Sequence, residues 1–142
     1  MSSSPQRAQS TTEGTGINKI TEAIIGAAMR VHSALGPGLL EKAYTACLAY
    51  ELRKAGFDVQ VEVELPVFYG SVRIEIGYRA DLIVNDLVIV ELKCVENIIP
   101  VHEAQIISYL RLSKKSVGLL INFHVRHLRD GIKRFVEGND WN

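Results

Sequence analysis

Long apolar runs are missing from this chain, and with them any helix able to cross a bilayer, which takes about 20 consecutive apolar residues. Net charge is missing too, because 16 Lys and Arg balance 16 Asp and Glu. The molecule as a whole therefore gives no sign of a polyanion partner. Cysteine is scarce: Cys47 and Cys94 stand alone, both in apolar-patterned segments and without a zinc-ligand spacing. The expectation is buried free thiols in a reducing cytoplasm. Residues 1–16 lack an apolar core segment and are rich in Ser, Thr, Gln and Gly, so they read as a disordered tail rather than a secretion signal.

What is there suits an ordinary soluble domain: 142 residues, 47% hydrophobic and 23% charged. That length supports one core, expected over residues 17–142. Charge is unevenly spread. Between His102 and Arg134 stand Arg111, Lys114, Lys115, Arg126, Arg129, Lys133 and Arg134, against Glu103 and Asp130 alone. Such a stretch attracts phosphates or is simply a solvated helical face.

Periodicity divides the rest. Ile17 to Leu35 has helical spacing and is broken by Gly36-Pro37-Gly38. Leu39 to Ala55 reads as a second helix, stopped by Gly56. The period then becomes two: Val59 to Val67, Val72 to Ile76 and Tyr78 to Val84 read as strands of a meander, with Gly77 as a bend. Leu87 to Leu92 is apolar at nearly every position, which predicts a central strand. Pro100 suits the first turn of a third helix reaching about Leu112. Val117 to Phe123 reads as a buried strand and Arg129 to Val136 as a short basic helix. The order points to an α/β sandwich with a mixed sheet.

Three charges interrupt the buried-looking strands: Asp81, Glu91 and Lys93. Alternation places Glu91 and Lys93 on one face. A two-residue loop at Asn85-Asp86 would set Asp81 opposite Val90, on the wrong side. A three-residue loop, Asn85-Asp86-Leu87, sets Asp81 opposite Glu91. Facing carboxylates repel unless a cation lies between them, and magnesium takes one or two carboxylates while keeping several waters. The alternative is an inter-strand salt bridge involving Lys93. On the third helix His102, Gln105 and Tyr109 share a face, able to bond a water, a phosphate or a carboxylate. On the second, Glu41 lies in the first turn, where the helix dipole alone would favour it, and Tyr44 one turn on.

Asp81, then Glu91-Leu92-Lys93, then Gln105-Ile106-Ile107-Ser108-Tyr109 resembles the PD-(D/E)XK nuclease superfamily, in the branch with a helical Q-x-x-x-Y. The segment from Val31 through Gly38-Leu39-Leu40-Glu41-Lys42-Ala43-Tyr44 is similar to the small GxxExxY protein family. Together the resemblance spans roughly Ile17 to Val136, with Ala80 where the motif name has Pro. It implies a restriction-endonuclease-like αβββαβ core with a mixed central sheet flanked by helices. It also implies metal ligands from Glu41, Asp81, Glu91 and the Leu92 carbonyl, with Lys93 as catalytic lysine.

The expectation is a nuclease dependent on Mg2+ or Mn2+ that hydrolyses phosphodiester bonds in DNA or RNA. Gln105 and Tyr109 complete its site, and Arg111, Lys114 and Lys115 grip phosphates. No membrane and no organic cofactor are expected. The alternatives are a non-catalytic nuclease-fold module that binds nucleic acid or a protein partner, and a structural adaptor with a closed polar network. Zero net charge favours the binding module, or an enzyme relying on a homo-oligomer or protein partner for grip.

Overall fold

Two apolar faces of one sheet organise the chain. The computed structural model describes residues 3–138, with side chains from residue 16. Helix α1 (Ser3–Leu35) is followed by α2 (Glu41–Lys54), and the turn between them uses left-handed backbone at Gly36 and Gly38, φ 68° and 106°. Five strands follow: β1 (Val59–Glu64), β2 (Val67–Tyr69), β3 (Val72–Ile74), β4 (Arg79–Val84) and β5 (Val88–Lys93). Helix α3 (Pro100–Ser113), β6 (Val117–Asn122), a 3-10 turn (Leu128–Gly131) and β7 (Ile132–Val136) complete the order. The main sheet runs β1-β4-β5-β6-β7, antiparallel except for the β5–β6 pair. A helical crossover between β5 and β6 permits their parallel pairing. The fold is a mixed α/β sheet flanked by helices.

Alternation sorts the strand residues between two cores. Leu82, Val84, Val88, Val90 and Leu92 pack with Ile24, Val31, Leu48 and Leu52 of α1 and α2. Ile83 and Ile89 pack on the opposite face with Tyr109 and Leu110 of α3. β5 is central and buried at every position but Lys93. Both thiols are free and half-buried.

Three expectations change. The meander is interrupted: β2 and β3 form their own two-stranded hairpin, while β1 pairs directly with β4. Pro66 removes a ladder donor just after β1, and Gly77, at φ 97°, redirects the chain into β4. The basic helix expected over Arg129 to Val136 is instead the end of the 3-10 turn followed by strand β7 from Ile132. Ile132, Phe135 and Val136 fit helical spacing, but the open edge of β6 captures the segment, from Val117↔Val136 to Ile121↔Ile132. Unpaired edge groups outweigh a weak local helical pattern. Finally, α1 begins at Ser3 rather than Ile17. The tail reading of residues 1–16 overlaps that start; residues 1–2, and the side chains of residues 3–15, lie outside the described residues.

β7 depends on a tight turn at Gly131, where a Cβ would collide with the Asn122 carbonyl oxygen and crowd Val125. Gly131→Ala should therefore destabilise the fold by about 1–3 kcal/mol through overpacking against backbone. Urea denaturation measures this, and a variant as stable as the parent would contradict the placement of β7.

Candidate functional site

The β4–β5 turn decides where the charges meet. Asn85 and Asp86 take left-handed backbone, φ 52° and 55°, which Asn and Asp tolerate better than other side chains. The Asn85 side-chain oxygen accepts from the Asp58 N–H at 2.8 Å, and the Asn85 backbone N–H donates to the Asp58 carbonyl at 2.7 Å. Pairing runs Val84↔Val88, Ile83↔Ile89 and Leu82↔Val90, so Leu87 belongs to the loop and Asp81 comes level with Glu91.

At that level the backbone ladder stops. The Asp81 N–H donates to Glu91 Oε2 at 2.8 Å, and the Leu92 N–H donates to Asp81 Oδ2 at 2.9 Å. Two carboxylates thus replace the backbone carbonyls that would otherwise accept, and each keeps a second oxygen outside this exchange. The Leu92 carbonyl shares its N–H's edge of the strand, so it faces the same gap. On the other side of β4, pairing with β1 passes from Val61↔Leu82 to Val63↔Ala80. It skips Glu62, which stands across from Asp81 with φ 52°.

The electrostatics follow from crowding. Burial, then the Asp81 charge, push the Glu91 carboxyl up to about 8, against the Asp81 N–H and Lys93, which lower it. Burial also raises Asp81; the Leu92 N–H and Lys93 oppose it, and Glu62 adds to the rise. Glu41 is raised by partial desolvation and by Asp81, and lowered by Lys93 and by a hydrogen bond from the Cys94 N–H. Burial and Glu41 together raise the Cys94 thiol. Glu41, Asp81, Glu91 and Lys93 therefore share one electrostatic neighbourhood. Among the described residues Lys93 joins no ion pair, so the inter-strand salt bridge is not formed.

Helix α3 supplies the polar wall. Gln105 Nε2 donates to the Tyr109 hydroxyl at 3.2 Å. Burial and the nearby Glu91 raise the Tyr109 phenol, and the Gln105 bond lowers it. Tyr78 tilts against Tyr109 with ring centroids 6.1 Å apart. A groove of about 520 Å³ runs beside them, lined by Tyr78, Gln105, Ser108, Tyr109 and Arg111 among others. His102 serves the helix end instead, where its Nδ1 accepts from the Ile99 N–H at 3.0 Å and caps α3.

The basic residues lie elsewhere. Lys115 pairs with Asp86 at 2.9 Å, in the β4–β5 turn five residues along from Asp81, which is roughly 17 Å of strand. Lys114 ends α3 in left-handed conformation, and Arg111 approaches Glu137 at 3.6 Å. Of these three only Arg111 borders the Tyr109 groove. Glu62 and Tyr78 carry no site signal in the sequence, and Cys94 reads there only as a free thiol. Glu62 sits on a plain alternating strand and is revealed only by the β1–β4 register.

The donor chemistry suits a hard divalent cation, with one spare oxygen on each of two repelling carboxylates and a backbone carbonyl beside them. As they lie, no three His, Cys, Asp or Glu side chains among the described residues are gathered closely enough to hold a metal by themselves. A divalent cation in this gap would have Asp81 and Glu91 as its nearest carboxyls, with Glu41 in the same electrostatic neighbourhood.

The raised Glu91 has a consequence for stability. From its ordinary value of 4.5 up to about 8, the native state holds a proton there that the unfolded chain has lost. Metal-free stability should fall across that window as pH rises and level off above it. At roughly 1.4 kcal/mol per unit the loss is a few kcal/mol. Glu91→Gln keeps the acceptor and removes the charge, so it should melt several degrees higher than the parent at pH 8 and flatten the decline from pH 5. Parallel melting curves for parent and variant would contradict the burial of this charge.

Neither the curated proteins nor the solved structures yield a match to this chain. A family model described as the PD-(D/E)XK nuclease superfamily matches residues 18–135, an interval holding Glu41, the opened β4–β5 pair, Lys93 and the α3 wall. Among the described residues no helix is long and apolar enough to cross a membrane. With most of its length inside that match, the chain belongs to the PD-(D/E)XK nuclease superfamily.

Proposed function

We propose that the protein is a nuclease that uses Mg2+ or Mn2+ to hydrolyse phosphodiester bonds in DNA or RNA, and that it falls in the GxxExxY branch. The observation that carries this reading is the exchange between Asp81 and Glu91. Two carboxylates open an internal strand pair and hold each other's backbone, yet Lys93, two residues on, is left without an ion-pair partner among the described residues. A purely structural network would close on that ammonium. Burial and the neighbouring Asp81 make it costly to ionise Glu91 inside this strand pair, so the retention of both carboxyls there supports a ligand.

In this reading Asp81 and Glu91 hold the ion together with the Leu92 carbonyl, and Glu41 adds negative charge at its margin. When bound, the ion supplies an acidified water and charge stabilisation at phosphorus. Lys93 places its ammonium beside the phosphate to offset the developing charge. Gln105 fixes the Tyr109 hydroxyl, which donates to a phosphate oxygen at the groove. Arg111, at the groove's far edge, grips the substrate strand, while Lys114 and Lys115 contribute only at longer range. Zero net charge is compatible with a homo-oligomer or protein partner adding grip.

Purified protein should cut at least one labelled DNA or RNA substrate when Mg2+ or Mn2+ is added and stop on chelation. Lys93→Ala should reduce the rate by about 10²–10³-fold, the usual cost of losing one transition-state electrostatic group, with little change in substrate binding. Tight binding with no cleavage under either metal, identical for parent and Lys93→Ala, would replace this reading with a non-catalytic module.

A further inference from the structure

The basic run contains two arginines with no internal use. Lys115 and Lys133 pair with Asp86 and Glu103, each at 2.9 Å. Arg134 donates to the Asn18 side chain at 3.1 Å. The side chains of Arg126 and Arg129 have no hydrogen bond or ion pair among the described residues, and both residues are exposed. They line one cavity of about 480 Å³, with Ser33, His127, Asp130 and His32.

This cavity is built on fixed walls. Gly131 closes against the Asn122 carbonyl, so the chain after β6 doubles back over the strand end. Leu128 is buried in the α1–α2 core and anchors the 3-10 turn. The buried His32, in the last turn of α1, donates from Nε2 to the Val125 carbonyl at 2.8 Å, which ties the loop to the helix. With that N–H committed, His32 positions the loop, and the donors facing outward are two guanidiniums, the Ser33 hydroxyl and one imidazole N–H of His127. Two guanidiniums against the Asp130 carboxylate leave a net charge of +1. Forked, always-charged donors suit the oxygens of a phosphate.

The cavity also lies at the catalytic end of the sheet. Phe123 donates its N–H to the Lys93 carbonyl at 2.8 Å, and Lys93 pairs with Asn122, so the loop leaves the sheet beside Lys93. Phe123 stacks on Tyr44 at 4.6 Å, one helical turn after Glu41, and lies 6.2 Å from the His32 ring. Phe123 thus links His32, on the cavity's lining, to the helix that carries Glu41.

We propose that this cavity is a phosphate-binding subsite, in which Arg126 and Arg129 grip a backbone phosphate of the nucleic-acid strand being cut. As a substrate subsite it rests on the nuclease reading; as a phosphate site it rests on its own geometry. The test compares the full chain with Arg126→Ala/Arg129→Ala, or with the double Gln variant should the alanine version melt early. Two probes are used: a labelled oligonucleotide followed by anisotropy across a salt series without metal, and inorganic phosphate or AMP followed by melting temperature.

The double variant should bind the oligonucleotide at least about 10-fold more weakly, with a salt slope shallower by about one, since one neutralised phosphate contributes roughly 0.7–0.9. Phosphate should raise the parent's melting temperature and leave the variant's unchanged. Arginine-dependent protection by phosphate or AMP with equal oligonucleotide binding would keep the site and reassign its ligand to a free phosphate monoester. Equal behaviour in both assays would overturn the proposal, while Lys93-dependent cleavage would still support the nuclease reading. Arginine-dependent phosphate protection in a protein that cuts nothing would remove the nuclease reading and keep the site.

Discussion

Everything at this site depends on one exchange of partners across β4 and β5. The Asp81 N–H is satisfied by Glu91 and the Leu92 N–H by Asp81. Each carboxylate performs a structural duty with one oxygen and keeps the other uncommitted in that exchange. A sheet cannot easily leave interior N–H groups unpaired, so the side chains stay in place even though burial and mutual repulsion oppose ionising both. The cost is visible in the upward displacement of all three carboxyls, with Glu91 the most buried.

The surrounding architecture serves to make that opening possible. Asn85 and Asp86 accept left-handed backbone, which produces a three-residue loop and sets the facing pair. Glu62 adopts the same unusual conformation across β4, so Asp81 loses regular pairing on both sides. The parallel β5–β6 pair brings α3 over the face where Ile83 and Ile89 lie, and with it the Gln105–Tyr109 pair. The same pair delivers the loop carrying Arg126 and Arg129 to the end of the sheet where Lys93 stands.

Much of this was legible in the residues because it rests on short-range pattern. A run apolar at nearly every position marked β5 as central, and Pro100 marked the start of α3. The parity of the loop reduced the site question to two or three residues at Asn85. Long-range pairing was less legible. Ile132 to Val136 has helical spacing and becomes a strand because β6 had an open edge, which only the assembled sheet reveals. Likewise Pro66 and Gly77 mark breaks at the two ends of the β2–β3 hairpin, but only the assembled sheet shows that β1 pairs directly with β4. Counting charges between His102 and Arg134 found a basic stretch but not its use, since ion pairs with Asp86 and Glu103 cross between distant elements.

The central claim is that the buried, raised Glu91 and its partner Asp81 form the seat of a divalent cation. Binding a cation there must displace the proton that Glu91 holds near neutral pH. Titration calorimetry with Mn2+ at pH 7, repeated in buffers of different ionisation enthalpy, measures that proton directly. The account predicts release of close to one proton per ion in the parent and of none in Glu91→Gln. Binding without proton release, or no binding at millimolar-scale Mn2+, would contradict it.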